Sequence, residues 1–560
     1  MKFSQMPYKR LAFEELQSNF QVLLDRFNAA ATAEEAIAAY KEYDNYYVEY
    51  GTTIALAFIR NSMDTTDEFY DQEQEYWDMT EPMLEDVIKQ FTAALLASPF
   101  RAELESKWGT LLFTNAEIEL KTFKPEIVPL MQEENALSTE YDKLKASAQI
   151  EFDGKTLTLE EFQPYYENPD RGIRKDAQEA CAKWFLANAS RFDEIFDKMV
   201  KVRTAIAKKL GYKNFVELGY YRMQRNCYDK DMVAKFREGV AKYIVPIVTG
   251  LKKEQAARIG VSTIKAYDQD FNYPDGNATP KGTPDDILAH AKKMYHELSD
   301  ETGAFMDFMM ESELFDVLTR PGKSGGGYCY TINKYKSPFI FANFNGTSGD
   351  VDVLTHEVGH AFASNSVWDI FPSSLQSGSY ETSEIHSMAM EFFTWPWMDG
   401  FFGEQADKYY NSHLSNALTF LPYGVMVDEF QHHVYENPDM TPAQRNEYWL
   451  SLEAKYRPWL DLTDTPFHGE GRRWQNQLHI YTDPFYYIDY CLAQIMALCF
   501  WAENQKSPKA AWEKYRRLVS FGGTKTFVEL IEDAGMPTPF EVGNVKAVAD
   551  AVTAWLNSRK

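Results

Sequence analysis

The chain has 560 residues, enough for several domains or one large fold with a sizeable core, and its composition is that of a soluble globular protein. Its 83 acidic residues against 57 basic ones give a formal charge of −26, which repels nucleic acid and anionic lipid, so neither is an expected partner. The Met1–Pro7 stretch has no apolar run of signal-peptide length, and the five cysteines are odd in number and scattered without Cys-x-x-Cys spacing, which fits a reducing cytoplasm.

From residue 8 to about 145 the pattern predicts successive amphipathic helices rich in Glu, Ala, Leu and Tyr, without a catalytic motif. The acidic run Asp71 to Glu75 is expected on a solvated helix face. Ile150-Glu151-Phe152 and Thr156-Leu157-Thr158 flank Asp153-Gly154, a hairpin signal, and helices then resume to about 265. After a loop from Tyr273, Thr283-Pro284-Asp285-Asp286 starts another helix with a cap, a first-turn proline and two acids. Gly322-Lys323-Ser324 looks like part of a phosphate loop, but the glycine required five positions earlier is Val317, so nucleotide binding is rejected. Pro338 to Phe344 reads as a strand whose leading proline suits an edge. Such an edge either aligns an extended peptide or pairs only within the protein.

The next stretch, Thr355 to Ala361, contains His356-Glu357-Val358-Gly359-His360. On a helix, positions four apart lie one turn above each other, so both imidazoles can share a metal ion while Glu357 takes a proton from water activated there. Two histidines four apart also occur on ordinary helix surfaces. Ser348-Gly349-Asp350 supplies a cap, and Val351, Leu354, Val358, Ala361 and Phe362 form an apolar stripe, which together predict a half-buried helix. Asp352, one turn before His356, is either an outer partner for that ring or a solvated first-turn acid.

A catalytic zinc usually has three protein ligands, which directs attention downstream. Glu381 to Phe393 is a second helical stretch, with Glu384 and Glu391 two turns apart beside its apolar side. Glu384 is the expected third ligand and Glu391 an outer partner of a liganding histidine. The alternative is an amphipathic helix with surface acids, and His386 is a weaker candidate ligand because it points off that stripe. Further on, His479 to Tyr490 is rich in tyrosine. Hydroxyls and an imidazole there can donate to the oxyanion of amide hydrolysis, although aromatic clusters are commonly core. Tyr490 to Ala502 spans only 13 residues between acids, short of the ~20 that a membrane helix needs.

The His356–His360 motif, Glu384 placed 24 residues after His360 with Glu391 following, and the His479–Tyr490 segment together resemble the thimet oligopeptidase and oligoendopeptidase F family of zinc metallopeptidases, most closely its bacterial oligoendopeptidase F-like branch. The resemblance extends from about residue 160 to about residue 545, and more weakly over the N-terminal helices. It implies one Zn²⁺ held by His356, His360 and Glu384, with Glu357 as general base and Tyr487, Tyr490 and His479 assisting the transition state. It also implies a mostly α fold with two helical lobes enclosing a deep channel and a small β-sheet beside the zinc-binding helix. Residues 1–160 are then an N-terminal helical region forming part of the channel wall, and 161–560 the catalytic region. The thimet branch has glycines just before its tyrosines, where this chain has Thr482-Asp483-Pro484-Phe485. The expected activity is hydrolysis of internal bonds in short peptides. A zinc carboxypeptidase or dipeptidyl carboxypeptidase, with Arg472 or Arg473 holding a substrate carboxylate, is one alternative. A non-catalytic peptide-binding protein with structural zinc is another.

Overall fold

The computed structural model describes residues 1–320 and 322–558, and most of them are helical. The N-terminal helices form where the amphipathic pattern predicts them. Thr32 caps Ala33–Met63 by accepting from the Glu35 amide, and Asp67 caps Glu68–Ala97. Their apolar faces close on one core of Leu16, Phe20, Trp77 and Phe91, in which Tyr43 and Phe91 stack at 3.6 Å. Within the acidic run, Glu73 departs from the solvated expectation. It is buried and accepts from Arg10 and from the Tyr8 hydroxyl, because a carboxylate matched to a guanidinium fork tolerates a site that a lone one does not.

The chain divides into two compact units, neither continuous in sequence. One comprises Met1–Lys121, Thr279–Glu404 and Glu503–Met536. Here Pro284–Leu298 starts on a Thr283–Asp286 capping box, as the sequence predicts. A three-stranded sheet follows, with Ser337–Phe344 in its centre, parallel to Phe315–Leu318 and antiparallel to Tyr328–Ile332. The strand expected at an edge is therefore central. Pro338 is tolerated because the parallel pairing begins only at Ile340, leaving the proline paired on one side. Lys323, from the rejected phosphate-loop pattern, is buried and donates to the Ala342 and Leu318 carbonyls and to the Asp316 carboxylate, so it braces this sheet; Pro321 of that stretch lies outside the described residues.

The other unit comprises Thr122–Ala278, Gln405–Ala502 and Pro537–Lys560. The hairpin forms between Ile150–Phe152 and Lys155–Leu157, and its turn residues Asp153 and Gly154 both have positive φ, the two-residue turn that Asp-Gly favours. The 40-residue helix Arg171–Leu210 carries Arg203 into the interior, where it meets Glu134 at 2.6 Å and the Tyr435 hydroxyl at 2.8 Å. Among the described residues, no helix is long and apolar enough to cross a membrane.

Candidate active site

The two helices that carry the predicted ligands lie side by side in the first unit. Gly349–Asn365 buries Val351, Leu354, Val358, Ala361 and Phe362, the stripe read from the sequence, and this leaves His356 and His360 half-buried on an adjoining face. Its N-cap, Ser348, makes no side-chain cap bond. The Asp350 carboxylate instead accepts from the Asn345 and Gly346 amides, each at 2.8 Å, and ties the incoming loop to the first turn.

Tyr380–Phe393 can approach closely because position 359 is glycine. A Cβ there would stand 2.7 Å from both the His386 carbonyl oxygen and the Ser387 Cα, a clash with backbone that no rotamer relieves. Gly359→Ala is therefore expected to lower stability by about 1–3 kcal/mol, measured by chemical denaturation, and to weaken zinc binding by displacing Glu384. The spacing of the histidines does not single out this residue. A glycine inside an apolar helical stripe was the available signal.

The approach brings Glu384 Oε2 to 3.3 Å from His356 Nε2 and 3.6 Å from His360 Nε2. One ligand atom from each residue lies within 4.8 Å of the other two. With bonds of about 2.1 Å at tetrahedral angles, ligand atoms on zinc stand about 3.4 Å apart, so this donor set fits the ion. His356 Nδ1 lies 2.7 Å from Glu391 Oε1. Glu391 therefore stands as an outer partner of His356. The Ser387 hydroxyl, another residue not singled out in the sequence, lies 3.1 Å from Glu384 Oε2.

Electrostatics favour a cation at this point. Burial works against charge on His356, but hydrogen bonds to Glu384 and Glu391 outweigh it and raise its pKa well above the usual imidazole value. Burial would also raise Glu384, yet its bonds to the two histidines hold it well below the carboxylate range. Glu357 is buried with one oxygen, Oε2, lacking a hydrogen-bond partner, and burial raises its pKa. An unpartnered buried carboxylate oxygen beside the ligand set is a suitable proton acceptor. His386 is excluded from the cluster: it is buried, its pKa is pushed down to about 3 by burial and by His360, and its carbonyl accepts from Tyr515.

His479, Tyr487 and Tyr490 come together in the second unit. Tyr487 and Tyr490 occupy the first turn of Tyr487–Asn504, and the His479 ring centroid lies 5.0 and 5.7 Å from theirs. Gln477 Nε2 is 3.1 Å from His479 Nδ1, while Gln477 Oε1 accepts from the Tyr423 hydroxyl at 2.7 Å, which fixes the imidazole from behind. In place of a glycine loop, the preceding segment is pinned. Phe485 has φ +71°, its amide donates to Gln431, and its ring is so close to Gly219 that a Cβ there would meet it at 2.4 Å. Asp489, also missed in the sequence, is buried and paired with Arg225 at 3.0 Å, anchoring the tyrosine helix at its first turn.

Residues 3–123 match the peptidase M3 N-terminal domain, and residues 165–549 match peptidase family M3. The chain belongs to peptidase family M3. Among solved structures, PZ peptidase A with an inhibitor is 50% identical at a TM-score of 0.96, the match covering 100% of this chain and 99% of that one. A putative oligoendopeptidase F is 49% identical at 0.96, with the same coverage. Another, from Bacillus anthracis strain Ames, is 47% identical at 0.91, covering 100% and 98%. No curated protein matches the chain at a significant level. The M3 chain is thus a peptidase with a mostly helical fold, as the resemblance implied.

Proposed function

We propose that this M3 peptidase is a cytoplasmic, zinc-dependent oligoendopeptidase that cleaves internal bonds of short peptides. The observation that carries the reading is the approach of one Glu384 oxygen to 3.3 and 3.6 Å from the His356 and His360 Nε2 atoms, beside a buried Glu357. Zinc bound there supplies Lewis acidity and makes water acidic enough to lose a proton near neutral pH. Glu357 accepts that proton and returns it to the leaving amine. Glu391 holds the His356 ring through Nδ1, so that Nε2 faces the ligand cluster. Tyr490 and Tyr487 donate to the oxyanion and His479 assists. Every group assigned to the chemistry falls in the proposed catalytic region, 161–560, and none in the N-terminal region, 1–160.

Two substitutions separate these roles. Glu391→Gln is expected to weaken zinc binding about 10–100-fold, read by competition with a chelator, because the carboxylate that orients His356 becomes neutral. Tyr490→Phe is expected to lower kcat about 100-fold or more with little change in KM; a change confined to KM would remove Tyr490 from the oxyanion site.

The proposed specificity is tested by mass-spectrometric mapping of products from a peptide blocked by acetyl and amide groups. Internal cleavage is expected. Failure to cut such a peptide while its free-acid form is trimmed from the C-terminus would favour the carboxypeptidase.

A further inference from the structure

The second unit holds an open-sided cavity of about 670 Å³, and among the described residues His479 is the one group assigned to the chemistry above that lines it. Among the described residues, four cationic side chains line it, Lys145, Lys252, Arg457 and Arg473, against one carboxylate, Asp270. In a chain of net charge −26 such a local excess calls for a reason. Three of the four have partners. Lys145 donates to the Asn476 carbonyl, Arg457 pairs with Glu453 at 3.2 Å, and Lys252 is buried and donates to Gln255 Oε1 and the Gln269 carbonyl.

Arg473 differs. Among the described residues it makes no hydrogen bond and no ion pair; it lies over the Tyr423 ring at 5.5 Å, and the Glu453 and Asp270 carboxylates act on it only from beyond ion-pair distance. Its Nη1 is buried without a hydrogen-bond partner, as is Gln178 Oε1 on the same wall. By contrast the neighbouring Arg472 pairs with Asp193 and Glu470, each at 3.3 Å. A guanidinium offers five donors in a planar fork, and a buried donor such as this Nη1 is costly to leave unmatched, although the residue as a whole is only half-buried. His468, on the same wall, adds no further cation: burial and the charges of Arg473 and Arg457 push its pKa down to about 3.

We propose that this cavity is a binding site for a small carboxylate-class oxyanion, gripped by the Arg473 fork with Lys252 on the cavity wall. Two sources share this chemistry: a free anion, and the C-terminal carboxylate of a peptide. The second rests on the oligopeptidase reading and is made reasonable by His479, which also lines the cavity.

The test uses the full-length, zinc-loaded protein. Calorimetry is run with acetate, and on a Glu357→Gln background with one peptide as free acid and as amide. Acetate is expected to bind, and to bind at least about tenfold more weakly to Arg473→Gln and to Lys252→Gln. A free-acid peptide that binds tighter than its amide, with the gap closing in Arg473→Gln, identifies the peptide terminus as the occupant. Equal binding of the two peptides alongside Arg473-dependent acetate binding identifies a free anion. Acetate heats and peptide affinities unchanged in both variants, each folded by its unfolding midpoint, would overturn the site. The acetate arm needs no turnover, so absence of peptidase activity would defeat the functional reading without touching this one.

Discussion

Replacing Glu357 by glutamine is expected to lower kcat by about 10² to 10⁴-fold while zinc content and unfolding midpoint stay at wild-type values. The substitution keeps the volume of the side chain and removes only its capacity to accept a proton. That capacity is set by position. Glu357 is buried on the same helix as both histidines, with Oε2 unpartnered, and burial raises its pKa, so the carboxylate is a stronger base than a solvated one. The neighbouring charges act both ways: His356 and His360 favour its ionised form, whereas Glu384 and Glu391 oppose it. Turnover measured beside zinc content separates a lost base from a lost metal. Full activity in Glu357→Gln would mean that another group deprotonates the attacking water.

Removing the metal is expected to abolish hydrolysis altogether, and zinc added back should restore it. His360→Ala and Glu384→Gln should behave as chelated wild type, since each leaves only two of the three donors. Chelation should also destabilise the fold. A ligand present at a thousand times its dissociation constant adds about 4 kcal/mol to the folded state, and chelation forfeits that contribution. The loss falls on the contact between Gly349–Asn365 and Tyr380–Phe393, where Glu384 would otherwise face both imidazoles across a helix pair packed at backbone contact through Gly359. Unfolding curves with and without chelator measure it. An unchanged curve would argue that the cluster holds no structural cation.

Much of the site was legible because helices encode their faces locally. Four-residue spacing placed His356 and His360 together, the apolar stripe predicted which side of their helix is buried, and seven-residue spacing put Glu384 and Glu391 on one row. What spacing does not carry is the choice among partners on different segments. Spacing alone does not say which liganding histidine Glu391 meets; the packing of the two helices brings it to His356 Nδ1. The same holds for Ser387 on Glu384 and for Arg225 on Asp489, contacts that join residues through the fold rather than along a helix. Pro338 pointed to an edge strand because the residue type reports one missing donor, not how far each neighbouring strand reaches. Glu73 looked solvated for a related reason: its match is Arg10, 63 positions away.

The most direct measurement is anomalous diffraction at the zinc edge on crystals of the purified protein. One zinc per chain is expected, with His356 Nε2, His360 Nε2 and a Glu384 oxygen at about 2.0–2.2 Å from it. A protein that cleaves peptides in a chelator-sensitive way yet shows its zinc elsewhere, with these three side chains unligated, would contradict the account.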